Sequence, residues 1–429
     1  MSLQQPTQVS SFQGRRVDKD VAGEEWFGRI AAVAIIVGST LERATLQVGS
    51  VDLYWGQLIA LALFPMAFSG RVEVHIYRRY YVIFAVAALF FLTPSLVALP
   101  FPEVRLKLIL QLQVNAFIAL VSFSLFTRLT AASLRGVFSA LTWALVLGSA
   151  IQIIWFSHEL ESAGARLFDL PRPFALFIEP AWMATMAALL LGGALALRQR
   201  GVAMMLFILI AIIFTRGALI IALCAVIAHF WRGRRLRLVG PLMVAGATGL
   251  GLWFFYVAMT GERPTRNDTS LDSRASDSWV IRAANDGDFL PWGGAELYFR
   301  VVGYWRPLPE ASNVAGLEWI WKFGAGGLMV LALWTFFVSW RVPKALAIQA
   351  AGSASGARRT PLEAFPAWLA LAALPPTLQF NNAFGRPWMW VTVALLLAVM
   401  YRVVSGDTAR TRGSETSLQS QPVGSAATK

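Results

Sequence analysis

The feature that most constrains this chain is a succession of apolar runs, each close to the length needed to cross a lipid bilayer as a helix. A bilayer core takes about 20 residues in helical form, and runs near that length recur along most of the 429 residues. Charged residues make up 14% of the chain, whereas about a quarter is typical of a soluble domain. So little charge on so apolar a chain excludes the soluble classes and predicts an integral membrane protein.

Twelve of these runs are predicted as helices, so the predicted fold class is an all-α polytopic membrane protein with about 12 transmembrane helices. The seventh and eighth runs are short and are separated only by Thr215, Arg216 and Gly217. The predicted spans are 26–41, 53–69, 80–98, 106–126, 131–156, 174–197, 202–215, 218–231, 238–259, 314–340, 364–379 and 387–404.

Lysine and arginine decide the predicted orientation. With the N-terminus in the cytoplasm, the predicted inner loops carry about twice as many of these residues as the short outer loops, as the positive-inside rule requires. Merging the seventh and eighth spans would move the cluster Arg232–Arg237 outside. Both termini are therefore predicted to be cytoplasmic. Most of the net charge of +13 is then topological, so it does not imply nucleic acid as a partner.

This topology divides the chain into five parts. A polar cytoplasmic tail covers 1–25, without the pattern of a cleavable signal peptide, and helices 1–9 cover 26–259. A large periplasmic loop covers 260–313, and helices 10–12 cover 314–404. Residues 405–429 are rich in Ser, Thr and Gly and are predicted to form a disordered cytoplasmic tail.

The second half of the large loop mixes aromatic residues with arginines. Trp292 and Trp305 stand among Arg282, Arg300 and Arg306. An interfacial aromatic belt would explain the tryptophans, but it does not explain three arginines among them. We expect a partly buried structure on the membrane surface that contains short helices, one of them starting near residue 279 behind an Asp or Ser cap.

Polar residues near the same predicted face add to this loop. Glu179 is placed about one turn and a half inside the sixth span, where an ionisable residue is a functional-site hypothesis; alternatively, it begins a helix before Pro180. Arg216 lies in the tight turn after the seventh span, as part of a site or as an interface anchor. The other polar residues near this predicted face are Arg166, Asp169 and Arg172 before Glu179, and Asn381, Asn382 and Arg386 in the last outer loop.

Guanidinium groups at a membrane surface suit one ligand class well. Arginine grips phosphate and pyrophosphate through paired hydrogen bonds, and tryptophan faces stack on sugar rings. The combination suggests a lipid-linked saccharide. The single cysteine, Cys224, makes a disulfide within the chain impossible, and the first outer loop lacks the paired acidic residues that metal-assisted transfer requires.

Four segments, in this order, resemble motifs of the Wzy-type polysaccharide polymerases, a group related to the O-antigen ligases. They are FIEPAW around Glu179, FTRGAL around Arg216, IRAANDGDFLPWGG containing Arg282, and NVAGLEWIWKFGAGG starting at Asn313. The likeness extends over most of the membrane region. It is greatest to polymerases of xanthan-type exopolysaccharides.

The resemblance implies a metal-independent glycosyltransferase of the bacterial inner membrane, without a cofactor and with its active site facing the periplasm. Such an enzyme moves a growing glycan from undecaprenyl pyrophosphate to the non-reducing end of a second lipid-linked repeat unit. Arg216 and Arg282 would stabilise the pyrophosphate leaving group. The implied substrate-binding residues are Arg300, Arg306, Arg166, Arg172, Trp292, Trp305 and Asn313. A flippase and proteins of chain-length control and export are candidate partners.

The chain departs from the family at one position. Many members have a histidine just before the asparagine that opens the re-entry helix, where this sequence has Ser312. Glu310 and Glu179 are then the carboxylates available to deprotonate the acceptor hydroxyl.

Two alternatives stay open from the sequence. A flippase or exporter of the same lipid-linked sugar requires polar residues through both leaflets, whereas the polar residues here concentrate on the outer side. A ligase of the O-antigen type differs from a polymerase only in its acceptor.

Overall fold

The computed structural model describes residues 11–41, 45–48, 51–65, 72–96, 102–156, 166–167, 170–177, 179–230, 298–301, 304–307, 323, 325–351, 362–378 and 383–419. Helices make up most of these residues. The strands within these ranges form short two-stranded hairpins. The all-α class predicted from the sequence is confirmed for this part of the chain.

The elements are numbered here in chain order. The helices are α1 (Ser11–Thr40), α2 (Trp55–Ala62), α3 (Val72–Leu92), α4 (Pro102–Phe126), α5 (Ala131–Trp155), α6 (Pro180–Ala196), α7 (Arg200–Ile213), α8 (Arg216–Phe230), α9 (Ala325–Phe336), α10 (Val342–Ala351), α11 (Phe365–Thr377) and α12 (Pro387–Gln419). The strands are β1 (Thr45–Val48), β2 (Val51–Tyr54), β3 (Arg166–Leu167), β4 (Leu170–Pro171), β5 (Tyr298–Val301) and β6 (Tyr304–Pro307).

Five helical segments in the described ranges are long and apolar enough to cross a membrane. They are His75–Leu92, Leu106–Phe126, Ala131–Trp155, Gly326–Ile348 and Pro387–Ser405. Shorter apolar helices cover Trp26–Thr40, Pro180–Ala196, Arg200–Ile213 and Arg216–Phe230. The structure is therefore that of a multi-pass membrane protein, while the number twelve stays a prediction. The predicted ninth span, 238–259, lies outside the described residues.

Hydrogen bonds between helices define two ends of the bundle. At one end, Arg386 before α12 donates to the hydroxyl of Tyr54 before α2. At the other, Arg402 in α12 donates to the carbonyl of Thr127 after α4, and Arg29 in α1 donates to Ser133 in α5. We call these the Arg386 end and the Arg402 end. On the predicted orientation, the Arg386 end is periplasmic.

Helices α6 and α12 form the centre of the bundle. Side chains of α6 are buried almost throughout its length, and 83% of the residues in the apolar part of α12 are buried. Helix α6 approaches α11 closely at Gly192, where an added Cβ would lie 2.6 Å from the Cβ of Ala370. Any larger side chain at Gly192 would therefore force α6 and α11 apart.

The sixth predicted span starts too early in the sequence-based assignment. Helix α6 begins at Pro180, not at Phe174, and Glu179 before it has an extended backbone. A residue before proline is disfavoured in the α region, and proline itself suits the first helical position. Pro180 therefore sets the start of the helix. Glu179 is its N-cap residue. The prediction that Glu179 lies one turn and a half inside the span was wrong.

Both terminal helices are longer than the apolar runs that identify them. Helix α1 begins at Ser11, within the predicted N-terminal tail, and α12 continues to Gln419, through residues predicted to be disordered from 405. Extending an existing helix adds one hydrogen bond for each residue fixed, whereas starting a new helix is costly. A polar segment joined to a stable span therefore continues as helix.

The tenth predicted span is also extended, through a change of helix type. A π-helical turn, Phe337–Arg341, joins α9 to α10, so the helix continues past Trp340 to Ala351. Pro343 has no N–H to donate to the carbonyl of Ser339, four residues before it. The indole N–H of Trp368 in α11 donates to that carbonyl at 2.8 Å. The helix therefore passes through Pro343 with the freed carbonyl satisfied.

Candidate functional site

The turn between α7 and α8 is held by an arginine from another loop. Helix α7 ends at Ile213, Phe214 has a left-handed backbone with φ of 49°, and α8 begins at Arg216. The Arg172 Nε donates to the Ile213 carbonyl at 2.9 Å, and its Nη2 donates to the Thr215 hydroxyl at 3.3 Å. The structure thus brings Arg172 to the residue next to Arg216, although they are far apart in sequence.

Arg172 binds a position where a cation is stabilising. A carbonyl at the end of a helix carries part of the negative pole of the helix dipole. Burial lowers the pKa of the Arg172 guanidinium from its ordinary value, yet arginine stays protonated in proteins. Arg172 therefore contributes a permanent positive charge beside the α7–α8 turn.

The loop that carries Arg172 and Glu179 is fixed from α5. The Gln152 side-chain oxygen accepts hydrogen bonds from the backbone N–H groups of Phe174 and Ala175, both at 2.8 Å. Ala175 has φ of 46°, a left-handed conformation that the two hydrogen bonds hold in place. The chain then reaches Glu179 at the start of α6.

Glu179 uses its backbone for the helix and not its carboxylate. The Glu179 carbonyl accepts from the backbone N–H groups of Trp182 and Met183, whereas the carboxylate makes no capping hydrogen bond to α6. Helix α6 packs closely on α8, and Arg172, in the loop before α6, bonds to the turn from which α8 begins, so Glu179 and Arg216 stand at the same end of two neighbouring helices. The N-termini of α6 and α8 therefore lie at the end of the bundle that Arg172 occupies, and helix N-termini attract anions.

Arg386 lies at the same end, against an aromatic ring and a hydroxyl group. Its guanidinium carbon lies 4.1 Å from the ring centroid of Trp182 in the first turn of α6. One of its N–H groups donates to the Tyr54 hydroxyl at 3.3 Å. Stacking on an aromatic face and bonding to a hydroxyl together orient the Arg386 guanidinium.

A buried amide network supports the residue before Arg386. Asn115 in α4 is fully buried, and its Nδ2 donates to the Gly385 carbonyl at 2.9 Å. Its Oδ1 accepts from Gln57 in α2 at 3.5 Å, and Gln57 in turn accepts the backbone N–H of Tyr54 at 3.0 Å. The network joins α2, α4 and the segment before α12, so it positions both Tyr54 and Arg386.

The amide side chains that support the Arg386 segment and the loop before α6 could be recognised in the sequence as polar amides inside apolar runs. Gln57, Asn115 and Gln152 each lie within a predicted span. They are not ionisable, and the predicted site residues within the spans were ionisable ones, so these three amides were not predicted. A buried amide needs hydrogen-bond partners, and that requirement would have identified all three as network residues. It would not have identified their partners.

The other predicted site residues are described by their backbone or not at all. Arg166 in β3 pairs with Pro171 in β4. In the β5–β6 hairpin, Arg300 pairs with Trp305 and Arg306 with Phe299. This hairpin was not predicted in the large loop, where short helices were expected. Outside the described residues lie Arg282, Trp292, Glu310, Asn313, Asn381 and Asn382, together with the predicted helix near residue 279.

Among the described residues, no histidine lies at the Arg386 end. His229 lies in the last turn of α8, toward the Arg402 end, and His75 lies in α3. Within the described ranges, no group of three or more His, Cys, Asp and Glu residues is arranged to hold a metal ion. The chemical groups that the described part of this site offers are guanidinium, carboxylate, hydroxyl and indole.

No known protein-family model matches this chain, and no curated protein sequence matches it either. The residues of the site themselves therefore carry the functional proposal.

Proposed function

We propose that this protein is a glycan polymerase of the bacterial inner membrane that joins lipid-linked oligosaccharide repeat units at the periplasmic face. The observation that carries the proposal is the convergence at the Arg386 end. Arg172, Arg216 and Arg386 stand there with Glu179, beside the N-termini of α6 and α8. Three guanidinium groups next to two helix N-termini suit a ligand with several negative charges, such as a pyrophosphate.

In the proposed reaction, a sugar hydroxyl of one lipid-linked repeat attacks the anomeric carbon of the glycan on another. The new glycosidic bond forms as the bond from that carbon to undecaprenyl pyrophosphate breaks. The hydroxyl proton passes to a carboxylate, Glu310 or Glu179. Arg216 and Arg282 stabilise the charge that develops on the leaving pyrophosphate. No metal or cofactor takes part.

The remaining residues have supporting roles in this proposal. Arg172 holds the turn that presents Arg216. The β5–β6 hairpin pairs each of its two arginines with an aromatic residue, a combination suited to sugar phosphates because aromatic faces stack on sugars and arginine binds phosphate. Substrate contacts are assigned to Arg300, Arg306, Arg166, Trp292, Trp305 and Asn313.

The test is reconstitution of the purified full-length protein in vesicles with chemically defined lipid-linked repeats. A polymerase converts single repeats into a ladder of products that differ by whole repeats. A flippase moves the repeats across the vesicle membrane without lengthening them. A ligase lengthens nothing until a lipid A acceptor is added, and either of these results would overturn the proposal.

Deletion in cells gives an independent readout. Loss of a polymerase leaves one completed repeat on its carrier at the periplasmic face, whereas loss of a flippase leaves that repeat in the cytoplasmic leaflet. Loss of a ligase leaves long polymer on the carrier. Glu310→Gln separates the two candidate bases, because full-length polymer from this variant would assign the proton transfer to Glu179 or to no carboxylate.

A further inference from the structure

Helices α7 and α8 diverge as they leave their shared turn. Both pack extensively on α6, but they make few contacts with each other. The two helices therefore form the walls of a groove whose floor is α6. The groove opens toward the Arg402 end, where α7 begins and α8 ends.

The groove contains a cavity of about 460 Å³ with apolar walls. Leu191 and Leu195 form the floor, Met204 and Phe207 stand on the α7 side, and Phe230 stands on the α8 side. Met204 is 65% exposed and Phe230 is 79% exposed. Exposed apolar side chains beside an apolar cavity in a membrane helix pair suit a hydrocarbon chain as occupant.

The mouth of this cavity is polar. Arg200 and His229 line it, and both also line a second cavity of about 390 Å³ that includes Arg198 and Glu363. Arg198 forms an ion pair with Glu363, so those two charges balance. Arg200 adds a further positive charge to this group of side chains.

Arg200 is also the first residue of α7, a helix of 14 residues. A cation is unfavourable at a helix N-terminus, while an anion is favourable there. The N-cap residue, Gln199, makes no side-chain capping hydrogen bond. In the sequence, the residues that follow α8 include Arg232, Arg234 and Arg235.

We propose that this groove binds one anionic phospholipid, with its phosphate at Arg200 and His229 and an acyl chain between α7 and α8. Arg200 and Phe207, which both line the cavity, are about 10 Å apart along α7. The cavity is therefore long enough to hold part of an acyl chain. Basic pockets between transmembrane helices are known to bind anionic headgroups. The site lies at the Arg402 end and does not depend on the proposed polymerase function.

Native mass spectrometry of the full-length protein in a neutral detergent tests the proposal. We expect phosphatidylglycerol to remain bound where phosphatidylcholine dissociates. Arg200→Gln should weaken phosphatidylglycerol binding about fivefold. Arg135→Gln is the matched control, because Arg135 is exposed at the same end and does not line either cavity. Equal loss in both variants would overturn the site in favour of general surface charge.

A second variant tests the contribution of the apolar groove to lipid binding separately from that of the Arg200 charge. Met204→Trp places a larger apolar side chain at an exposed position of the cavity wall, without changing any charge or buried contact of the core. We expect it to lower the bound fraction of phosphatidylglycerol while the thermal stability of the protein without added lipid is unchanged. Unchanged binding would overturn the acyl-chain position. Displacement of phosphatidylglycerol by an equal concentration of undecaprenyl phosphate would overturn the assignment to a phospholipid.

Discussion

Two arginines at one end of the bundle and two at the other stand in opposite electrostatic settings. At the Arg402 end, Arg402 donates to a carbonyl just after α4, and Arg198 follows the last turn of α6. Cations at helix C-termini complement the helix dipole. At the Arg386 end, Arg216 is the first residue of α8 and Arg386 immediately precedes α12. Cations at helix N-termini oppose the dipole.

This difference distinguishes arginines at helix C-termini, which stabilise the fold, from arginines at helix N-termini, which we propose bind a ligand. A cation at a helix N-terminus destabilises the folded protein, and an anion bound between the cation and the helix N-terminus would offset that cost. Arg200, at the N-terminus of α7, is the matching case at the Arg402 end, and it is the arginine assigned to a lipid phosphate. The position of an arginine relative to its helix is therefore more informative than its side of the membrane.

Replacing one arginine at each end by alanine should give the largest difference in polymerisation rate. Arg216→Ala should lower polymerisation by at least about 100-fold, the scale expected for loss of a group that stabilises transition-state charge. Arg198→Ala, which breaks the ion pair with Glu363, should leave the rate within about twofold, because exposed ion pairs contribute little. The rate of ladder formation in vesicles measures both. Similar losses in the two variants would remove the proposed distinction.

The stacking of Arg386 on Trp182 gives the next largest expected effect. Trp182→Ala should lower polymerisation about tenfold, since Arg386 loses the surface that orients it. Trp182→Phe keeps an aromatic face and should retain most of the rate. If the two variants are equally impaired while both remain folded by circular dichroism, Trp182 acts through something other than the ring face.

The buried amide network should affect stability and activity together. Asn115→Leu removes one of the two side-chain donors to the Gly385 carbonyl, the other being Gln111, and leaves the Gln57 side chain without its Asn115 acceptor. The free energy of unfolding should fall by about 2 kcal/mol, as expected for unsatisfied buried polar groups. Polymerisation should fall as well, because the residue before Arg386 loses its support. Thermal unfolding in detergent and the ladder assay measure the two effects, and stability lost at full activity would contradict the positioning role.

A cap at the Arg402 end supplies the matched control and the smallest effect. The Thr130 hydroxyl accepts the backbone N–H of Ser133 at 3.2 Å at the start of α5. Thr130→Ala should lower the free energy of unfolding by about 1 kcal/mol and leave polymerisation unchanged. Reduced activity from this variant, measured below its unfolding temperature, would show that the two ends are coupled.

Helix positions followed from the sequence more closely than helix ends did. The split between α7 and α8 was predicted from three residues, and the structure separates the helices there at Phe214 and Thr215. The start of α6 was missed although Pro180 signals it, because the apolar residues 174–178 suggested a longer run. Apolar character reports burial or lipid contact, whereas a helix end depends on backbone hydrogen bonds.

The site was predicted in part, and for a similar reason. Arg172, Arg216 and Glu179 stood out as charged residues in or near apolar runs. Nothing in the sequence indicated that Arg172 binds the end of α7 or that Arg386 stacks on Trp182. Trp368, which donates to the carbonyl freed by Pro343, could not be predicted either. Each of these contacts joins residues from different helices or loops.

The sequence by itself determined that this chain is a helical membrane protein, because bilayer solvation acts on each apolar run separately and requires only its length and composition. Only the tertiary structure decided which arginines meet helix N-termini and which meet helix C-termini. That distinction depends on where helices begin and which helices pack together, and those features arise from backbone hydrogen bonding and side-chain packing between segments far apart in the chain.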